Sequence, residues 1–323
     1  MPRLVCAQGL IDATTGATPV YRHPSDQALP LLRFSPMVAA IRETVVRLVG
    51  HDVNHVLIQL YRGGEDFISE HADKTLDVVR GSRIVNVSLG ARRTMRLRMK
   101  RAAAGSGGGG GRDEGTGAPP RKTQLVPLPH GSVFVLGLKT NEAWLHGINA
   151  DKRLPRDKTD EEMAFDGQRI SLTFRHIGTF LSADEQLIWG QGACGKTREA
   201  AGEVVNGDAE RNKKLVMAFG MENQMAVFDR QAWYGRGFDV LHFEKKEAKQ
   251  LPLLFLSGEK EVDAEVRRVL EEAGLDVVIV GVLDGSAGED YRPGVCLRDV
   301  DVCKTQVVGL ENIKHYVRER VSF

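Results

Sequence analysis

Apolar residues recur at intervals of three and four through SPMVAAIRETVVRLVG, residues 35–50, placing Val38, Ile41, Val45 and Leu48 on one face. Ser35 stands at the N-cap position, Pro36 fills the first helical position, and Gly50 can adopt the left-handed backbone that ends a helix. The spacing predicts one amphipathic helix whose apolar stripe covers a sheet. Downstream the period shortens to two. VLIQLY, RIVNVSLG, TMRLRM, QLVPL, SVFVLGL, EAWLHGI and RISLTFRHI are short, alternate or are rich in branched residues, and are separated by Gly, Asn, Asp and Pro. One helix followed by many such strands predicts a mainly β domain, a sandwich or a jelly-roll barrel.

Two breaks interrupt this pattern. AAAGSGGGGGRDEGTGAPPRK, residues 102–122, has five consecutive glycines and cannot bury side chains, so it reads as a loop inserted between TMRLRM and QLVPL, which should pair in one sheet. Near residue 182 the strand-rich pattern yields to helical periodicity. LPLLFLSG, KEVDAEVRRVLEEAGL and VVIVGV predict a β-α-β unit, with LENIKHYVRERVSF as a final helix. The expected organisation is a jelly-roll domain over residues 1–181 and a smaller appended α/β region over residues 182–323.

Composition adds little constraint beyond size. The chain has 323 residues, 42% of them apolar, enough for a buried core. No apolar run approaches the roughly 18 residues that cross a bilayer, and the N-terminus has no long apolar leader. Cys6, Cys194, Cys296 and Cys303 show no metal or disulfide spacing, which points to free thiols and a nuclear or cytoplasmic location. The net charge of +1 conceals an asymmetry: residues 1–180 carry about seven more basic than acidic side chains, and the remainder about six more acidic. Arg92, Arg93, Arg96, Arg98, Lys100 and Arg101 crowd into ten positions, either a solvated strand face or an edge that tracks phosphates.

Chemistry enters with YRGGEDFISEHADKTLD, which holds His71 and Asp73 two residues apart, and with EAWLHGI, which supplies His146. Two imidazoles and one carboxylate form a facial triad that binds Fe(II) and leaves positions for other ligands, provided the fold unites distant strands. In RISLTFR, Arg169 and Arg175 fall on one strand face and Ile170, Leu172 and Phe174 on the other. Two guanidiniums facing a barrel interior need anionic partners, and a dicarboxylate would provide them.

Over residues 54–180 the order Y-x-x-G, H-x-D, S-L-G-x-x-R, G-S-x-x-x-L, W-x-H and R-x-x-x-T-F-R resembles the AlkB family of Fe(II)- and 2-oxoglutarate-dependent dioxygenases, with RISLTFR and VSLGARRTMRLR its most specific parts. The resemblance implies a double-stranded β-helix with Fe(II) held by His71, Asp73 and His146. Arg169 would bind the distal carboxylate of 2-oxoglutarate, Tyr61 would hydrogen-bond the cosubstrate, and Arg175 would lie at its other end, beside the substrate. It further implies oxidative removal of an N-alkyl group from a flipped base as formaldehyde, with O2 consumed and succinate released. Trp144 and the basic segment at Arg92, Arg93, Arg96 and Arg98 are the candidates to grip nucleic acid.

Three positions depart from the family pattern. Gln59 replaces an asparagine two residues before the tyrosine and is expected to reach 2-oxoglutarate with its longer amide, Ser171 replaces an asparagine between the arginines, and Thr75 occupies the base-reading position where the repair enzymes carry an acid. A second expectation therefore keeps the iron centre and takes a protein, peptide or small metabolite as the molecule hydroxylated. GQGACGKT, Gly190 to Thr197, also fits the phosphate-binding pattern G-x-x-x-x-G-K-[ST]. Only LIW precedes it, although KTREAAGEVV could form the helix that such a site requires; the competing expectation is a glycine-rich turn capping that helix.

Overall fold

A computed structural model describes residues 3–24, 29–101 and 121–244, and further on Leu253–Leu256, Lys260–Glu272, Val278–Val282, Cys296–Arg298, Gln306–Val308 and Ile313. Most of the glycine-rich segment 102–122 and of the expected final helix therefore lies outside the described residues, as does Cys303. The chain divides into two compact units, Met1–Lys245 and Lys246–Phe323.

In the first unit, strands β1 (Leu4–Gly9), β2 (Leu31–Arg33), β3 (His55–Tyr61), β4 (Ile68–His71), β5 (Arg83–Gly90), β6 (Arg93–Met99), β7 (Thr123–Leu128), β8 (Ser132–Gly137), β9 (Trp144–Ile148) and β10 (Arg169–Arg175) build a double-stranded β-helix. A six-stranded sheet runs in the order β2-β1-β3-β10-β5-β8, and a four-stranded sheet in the order β4-β9-β6-β7. The strands flanking the glycine-rich segment, β6 and β7, pair antiparallel.

The period of two decides what each face of the larger sheet meets. Val56, Val85, Val87, Leu172 and Phe174 point outward onto α1 (Pro36–Val49), where they bury Val38, Val45 and Val49. Each buried aliphatic side chain there contributes roughly 1.5–3 kcal/mol. Gly50 closes the helix at φ 73°. Leu48, expected on the apolar stripe, is 57% exposed; Val49, four positions after Val45, takes the inward place instead. On the opposite face, Tyr61, Met95, Leu97, Leu128 and Ile148 fill part of the space between the sheets.

Three short strands precede the helix at the N-terminus, at Leu4–Gly9, Thr18–Pro19 and Leu31–Arg33, where the sequence pattern shows none. The first unit also continues past residue 181. Thr179–Leu181 pairs with Thr18–Pro19 and with Leu187–Gly190, and the chain then forms α3 (Ala209–Gln224) and α4 (Arg230–Tyr234), which come after α2 (Leu138–Ala143) in the same unit. Asp208 and Asp229 start these two later helices by accepting the free amides of their first turns, worth about 1 kcal/mol each. Arg22 ties the segments together: it pairs with Asp77 at 2.6 Å and donates to the carbonyls of Gly192 (2.8 Å), Phe238 (2.6 Å) and Val240 (3.0 Å), with 4% of its surface exposed. These contacts, made by residues far beyond 181, extend the first unit to Lys245.

The GQGACGKT segment is not a phosphate cradle. The strand Leu187–Gly190 has antiparallel neighbours on both sides, and it leads into a turn and a three-residue 3-10 helix, Arg198–Ala200, in place of the expected α-helix. Amides of the segment are already bonded within the protein: Gly190 to the Gly195 carbonyl, Gly192 to Thr179 Oγ1 and Cys194 to Asp239 Oδ1. Lys196 Nζ turns back onto the carbonyls of Gln191 (2.9 Å), Ala193 (2.6 Å) and Arg236 (2.6 Å). The groups that would cradle a nucleotide phosphate are committed to the fold.

In the second unit Leu253–Leu256 and Val278–Val282 pair in parallel, with Lys260–Glu272 between them in chain order, the β-α-β arrangement the sequence predicts, and Cys296–Arg298 adds antiparallel to Leu253–Leu256. Among the described residues no helix is long and apolar enough to cross a membrane.

Candidate metal centre

His71 ends β4 and His146 lies directly opposite it on β9, so antiparallel register alone brings the two imidazoles together, with ring centroids 4.3 Å apart. Asp73, two residues on, reaches the same point. One ligand atom from each of the three lies within 4.8 Å of the others. His71 Nδ1 is 2.8 Å from the Ser69 carbonyl, which can only accept, so Nδ1 carries the hydrogen and the Nε2 lone pair is left toward Asp73, 4.0 Å away. Asp73 Oδ1 accepts from Arg175 Nη2 at 3.0 Å and from the Tyr21 hydroxyl at 3.5 Å, while Oδ2 is buried with no hydrogen-bond partner.

Electrostatics suit these groups to a cation. Burial raises the Asp73 carboxyl, but Arg175 and then the two imidazoles outweigh it and hold the group below the usual carboxylate range. Enclosure depresses both histidines, His146 to about 3, so both rings are neutral at physiological pH. Two neutral nitrogens and one carboxylate, whose Oδ2 is buried and unsatisfied, match the donor set of a ferrous site, and a cation there would relieve the desolvation cost of Oδ2.

The inward face of β10 continues from this centre along a cavity of about 440 Å³. In register with β3, Arg169 stands opposite Tyr61 and Ser171 opposite Gln59. Arg169 also faces Gly90 of β5, where φ is 95° and a Cβ would come within 2.3 Å of the Gln168 carbonyl, so only glycine permits this approach. Arg169 is fully buried. Its Nη2 donates to Ser88 Oγ (2.7 Å) and Asn86 Oδ1 (3.2 Å), and its guanidinium lies 5.1 Å from the Tyr61 ring centre. Nε and Nη1 have no partner. Burial lowers this guanidinium to about 10, still a cation at neutral pH, and an unneutralised buried cation calls for an anion. Arg175 differs: its Nη2 is paired with Asp73 at 3.0 Å and its guanidinium stacks on Tyr21 at 4.2 Å, with Nε the nitrogen left without a partner.

Gln59, with its amide oriented to satisfy both ends, accepts from Arg3 Nε at 3.0 Å. The short Ser171 side chain accepts from Asn86 Nδ2 at 2.7 Å, so an asparagine from the neighbouring strand occupies the space beside Arg169.

The residues expected to grip nucleic acid do not gather at this cavity. Arg92 pairs with Glu161 at 2.7 Å, and Arg96 and Arg98 both face Glu70, at 3.4 and 3.5 Å. Arg93 is buried, donating to the carbonyls of Gly63, Asp66 and Asn149. Trp144 packs against the cluster of Tyr61, Met95 and Ile148. Thr75 is turned away: its amide and hydroxyl go to Glu222 of α3, and its carbonyl accepts from Arg230 of α4 at 2.8 Å.

Sequence reasoning missed Asn86, Tyr21 and the walls contributed by His23, Leu241 and His242. Asn86 did carry a signal, since Asn86 and Ser88 alternate with Val85, Val87 and Leu89 in RIVNVSLG, marking one polar face. Tyr21 and Leu241 carried none, because they reach the cavity only through chain closure over long separations.

The family model described as the 2OG-Fe(II) oxygenase superfamily matches residues 3–175. The human protein described as DNA oxidative demethylase ALKBH2 is 32% identical over 144 residues, covering 44% of this chain and 46% of that protein. Human alpha-ketoglutarate-dependent dioxygenase alkB homolog 3 is 26% identical over 148 residues, covering 46% of this chain and 45% of that protein. The chain thus spans about half the length of the curated relatives it matches. Among solved structures, one described as "The structure of OsALKBH1" matches at 19% identity with a TM-score of 0.32, covering 55% of this chain and 79% of that one.

Proposed function

The chain belongs to the 2OG-Fe(II) oxygenase superfamily, and from that premise we propose that it is an AlkB-like Fe(II)- and 2-oxoglutarate-dependent dioxygenase that oxidatively demethylates N-alkylated bases in DNA or RNA. One observation carries the reading: a carboxylate oxygen and two guanidinium nitrogens, all buried and unpartnered, stand on the wall of one cavity beside two neutral imidazoles. His71, Asp73 and His146 would hold the ferrous ion. Bound together with 2-oxoglutarate and O2, that ion supplies an oxidation in which 2-oxoglutarate loses CO2 to become succinate and one oxygen atom enters a C–H bond.

The side chains of this chain perform the rest. Arg169 offers its two free donors to the distal carboxylate of 2-oxoglutarate, and Tyr61 beneath it fixes the plane of the guanidinium. Arg175 holds Asp73 by Oδ1, which fixes the carboxylate beside the two imidazoles. Leu57, Met95, Phe134 and Ile148 line the cavity with apolar surface and exclude water from the reacting groups.

A second reading, hydroxylation of a protein side chain, peptide or small metabolite by the same centre, is favoured by the pairing of Arg92, Arg93, Arg96 and Arg98 within the protein. Iron-loaded protein offered methylated oligonucleotides and a metabolite panel before admission of O2 separates the two. Formaldehyde formed only with oligonucleotides, in step with succinate, supports demethylation. Succinate coupled to a product one oxygen heavier, with oligonucleotides inert, replaces it with the second reading.

A further inference from the structure

The segment that carries Asp73 and directly follows His71 is irregular and buried, with Ala72 at 1%, Asp73 at 3%, Lys74 at 3% and Thr75 at 7% exposure. Amides so placed must find acceptors within the protein. Each does, and each acceptor is a side chain: Ala72 N–H donates to Asn223 Oδ1 (2.8 Å), Asp73 N–H to Asn141 Oδ1 (2.9 Å), Lys74 N–H to the Tyr21 hydroxyl (3.0 Å) and Thr75 N–H to Glu222 Oε1 (3.0 Å). Asn141 returns a bond from Nδ2 to the Asp73 carbonyl at 2.9 Å, gripping that residue from both sides.

Two of the four acceptors are consecutive residues in the last turn of α3, 147 and 151 positions along the chain from the amides they bind. They are themselves fixed. Glu222 also accepts the Thr75 hydroxyl and the Tyr234 hydroxyl (2.5 Å), and its carbonyl accepts Lys100 Nζ at 2.6 Å. Asn223 Oδ1 accepts Lys74 Nζ at 3.1 Å. Leu76, immediately after the segment, packs with Leu215, Ala218, Phe219 and Phe228, which docks α3 against it.

We infer that α3 is a built part of the metal centre and that Asn223 is a positioning residue: by holding the amide of Ala72, it sets the separation of His71 and Asp73. The inference rests on the iron reading above. A helix that merely stabilised the fold would leave the metal affinity of the folded protein unchanged when Asn223 is altered.

The test compares Fe(II) affinity, by anaerobic calorimetric titration of the full chain, for wild type, Asn223→Ala and Asn223→Asp. The expected result is about 10–100-fold weaker binding in Asn223→Ala, the usual cost of losing a group that orients a ligand, with most of it restored in Asn223→Asp, which keeps the acceptor. Asn223→Ala binding as tightly as wild type overturns the inference. Amide exchange in metal-free wild type gives a second reading independent of any variant: the amides of residues 72–75 should be protected like those of β3 and β10, and fast exchange there overturns the role of the side-chain acceptors. Wild type that takes up no Fe(II) at all removes the iron reading itself, and the inference with it.

Discussion

Two short segments of the first unit match well-known motifs, and they end in opposite states. In H-A-D, residues 71–73, backbone amides are bound by side chains from elsewhere and the motif's side chains converge with one atom, Asp73 Oδ2, still unpartnered. In GQGACGKT amides are bound and the motif's charged side chain is used as well, because Lys196 caps three carbonyls. What separates a site from a turn is which groups the surrounding structure leaves unsatisfied, and the letters of a pattern do not record that.

The sharpest way to break this contrast is to remove the free carboxylate. Asp73→Ala should abolish succinate formation in an iron-loaded assay, and full turnover in that variant would dissolve the metal assignment. Next in size is Arg169→Ala. Losing charge-assisted bonds worth about 1.5–3 kcal/mol should raise the KM for 2-oxoglutarate roughly 10- to 100-fold, read from succinate release over a range of cosubstrate concentrations. An unchanged KM would mean that its two unpartnered nitrogens serve something else.

Acidification should weaken the metal-free protein. His55 and His146 are both pushed to about 3 by burial, from an ordinary value of 6.5. Between those values the unfolded chain binds protons that the folded chain does not, so stability is fully present above pH 6.5 and declines as pH falls toward 3. Thermal unfolding of metal-free protein across that window tests this; a flat profile would show these rings to be accessible and charged. The smallest effect belongs to the turn. Lys196→Ala should cost on the order of 1 kcal/mol in denaturant titrations, its contacts being partly exposed, and leave turnover untouched.

Much of the centre is legible in the sequence because it depends on local period. RISLTFR alternates strictly, so Arg169 and Arg175 share the face opposite Leu172 and Phe174, and the H-x-D spacing places His71 and Asp73 close together, although the pairing that brings His146 beside them is not local. The parts that escape are those set by distant closure. Nothing local says that Thr75 faces Glu222, or that Asp73 rests on Asn141 and Tyr21, because no periodicity links positions so far apart. The arginines around position 96 mislead for a related reason: charge density along the chain is visible, but the acids that neutralise it, Glu70 and Glu161, come from other elements.

The Arg22 contacts have a consequence for how the protein is made. Their carbonyl partners at Phe238 and Val240 lie 216 and 218 residues further along the chain. Translation proceeds from the N-terminus at about 5–20 residues per second. The ribosome must therefore work for roughly ten seconds or more after Arg22 emerges before that guanidinium can be fully coordinated, and a nascent chain stalled short of Phe238 holds it with only part of its final set of partners.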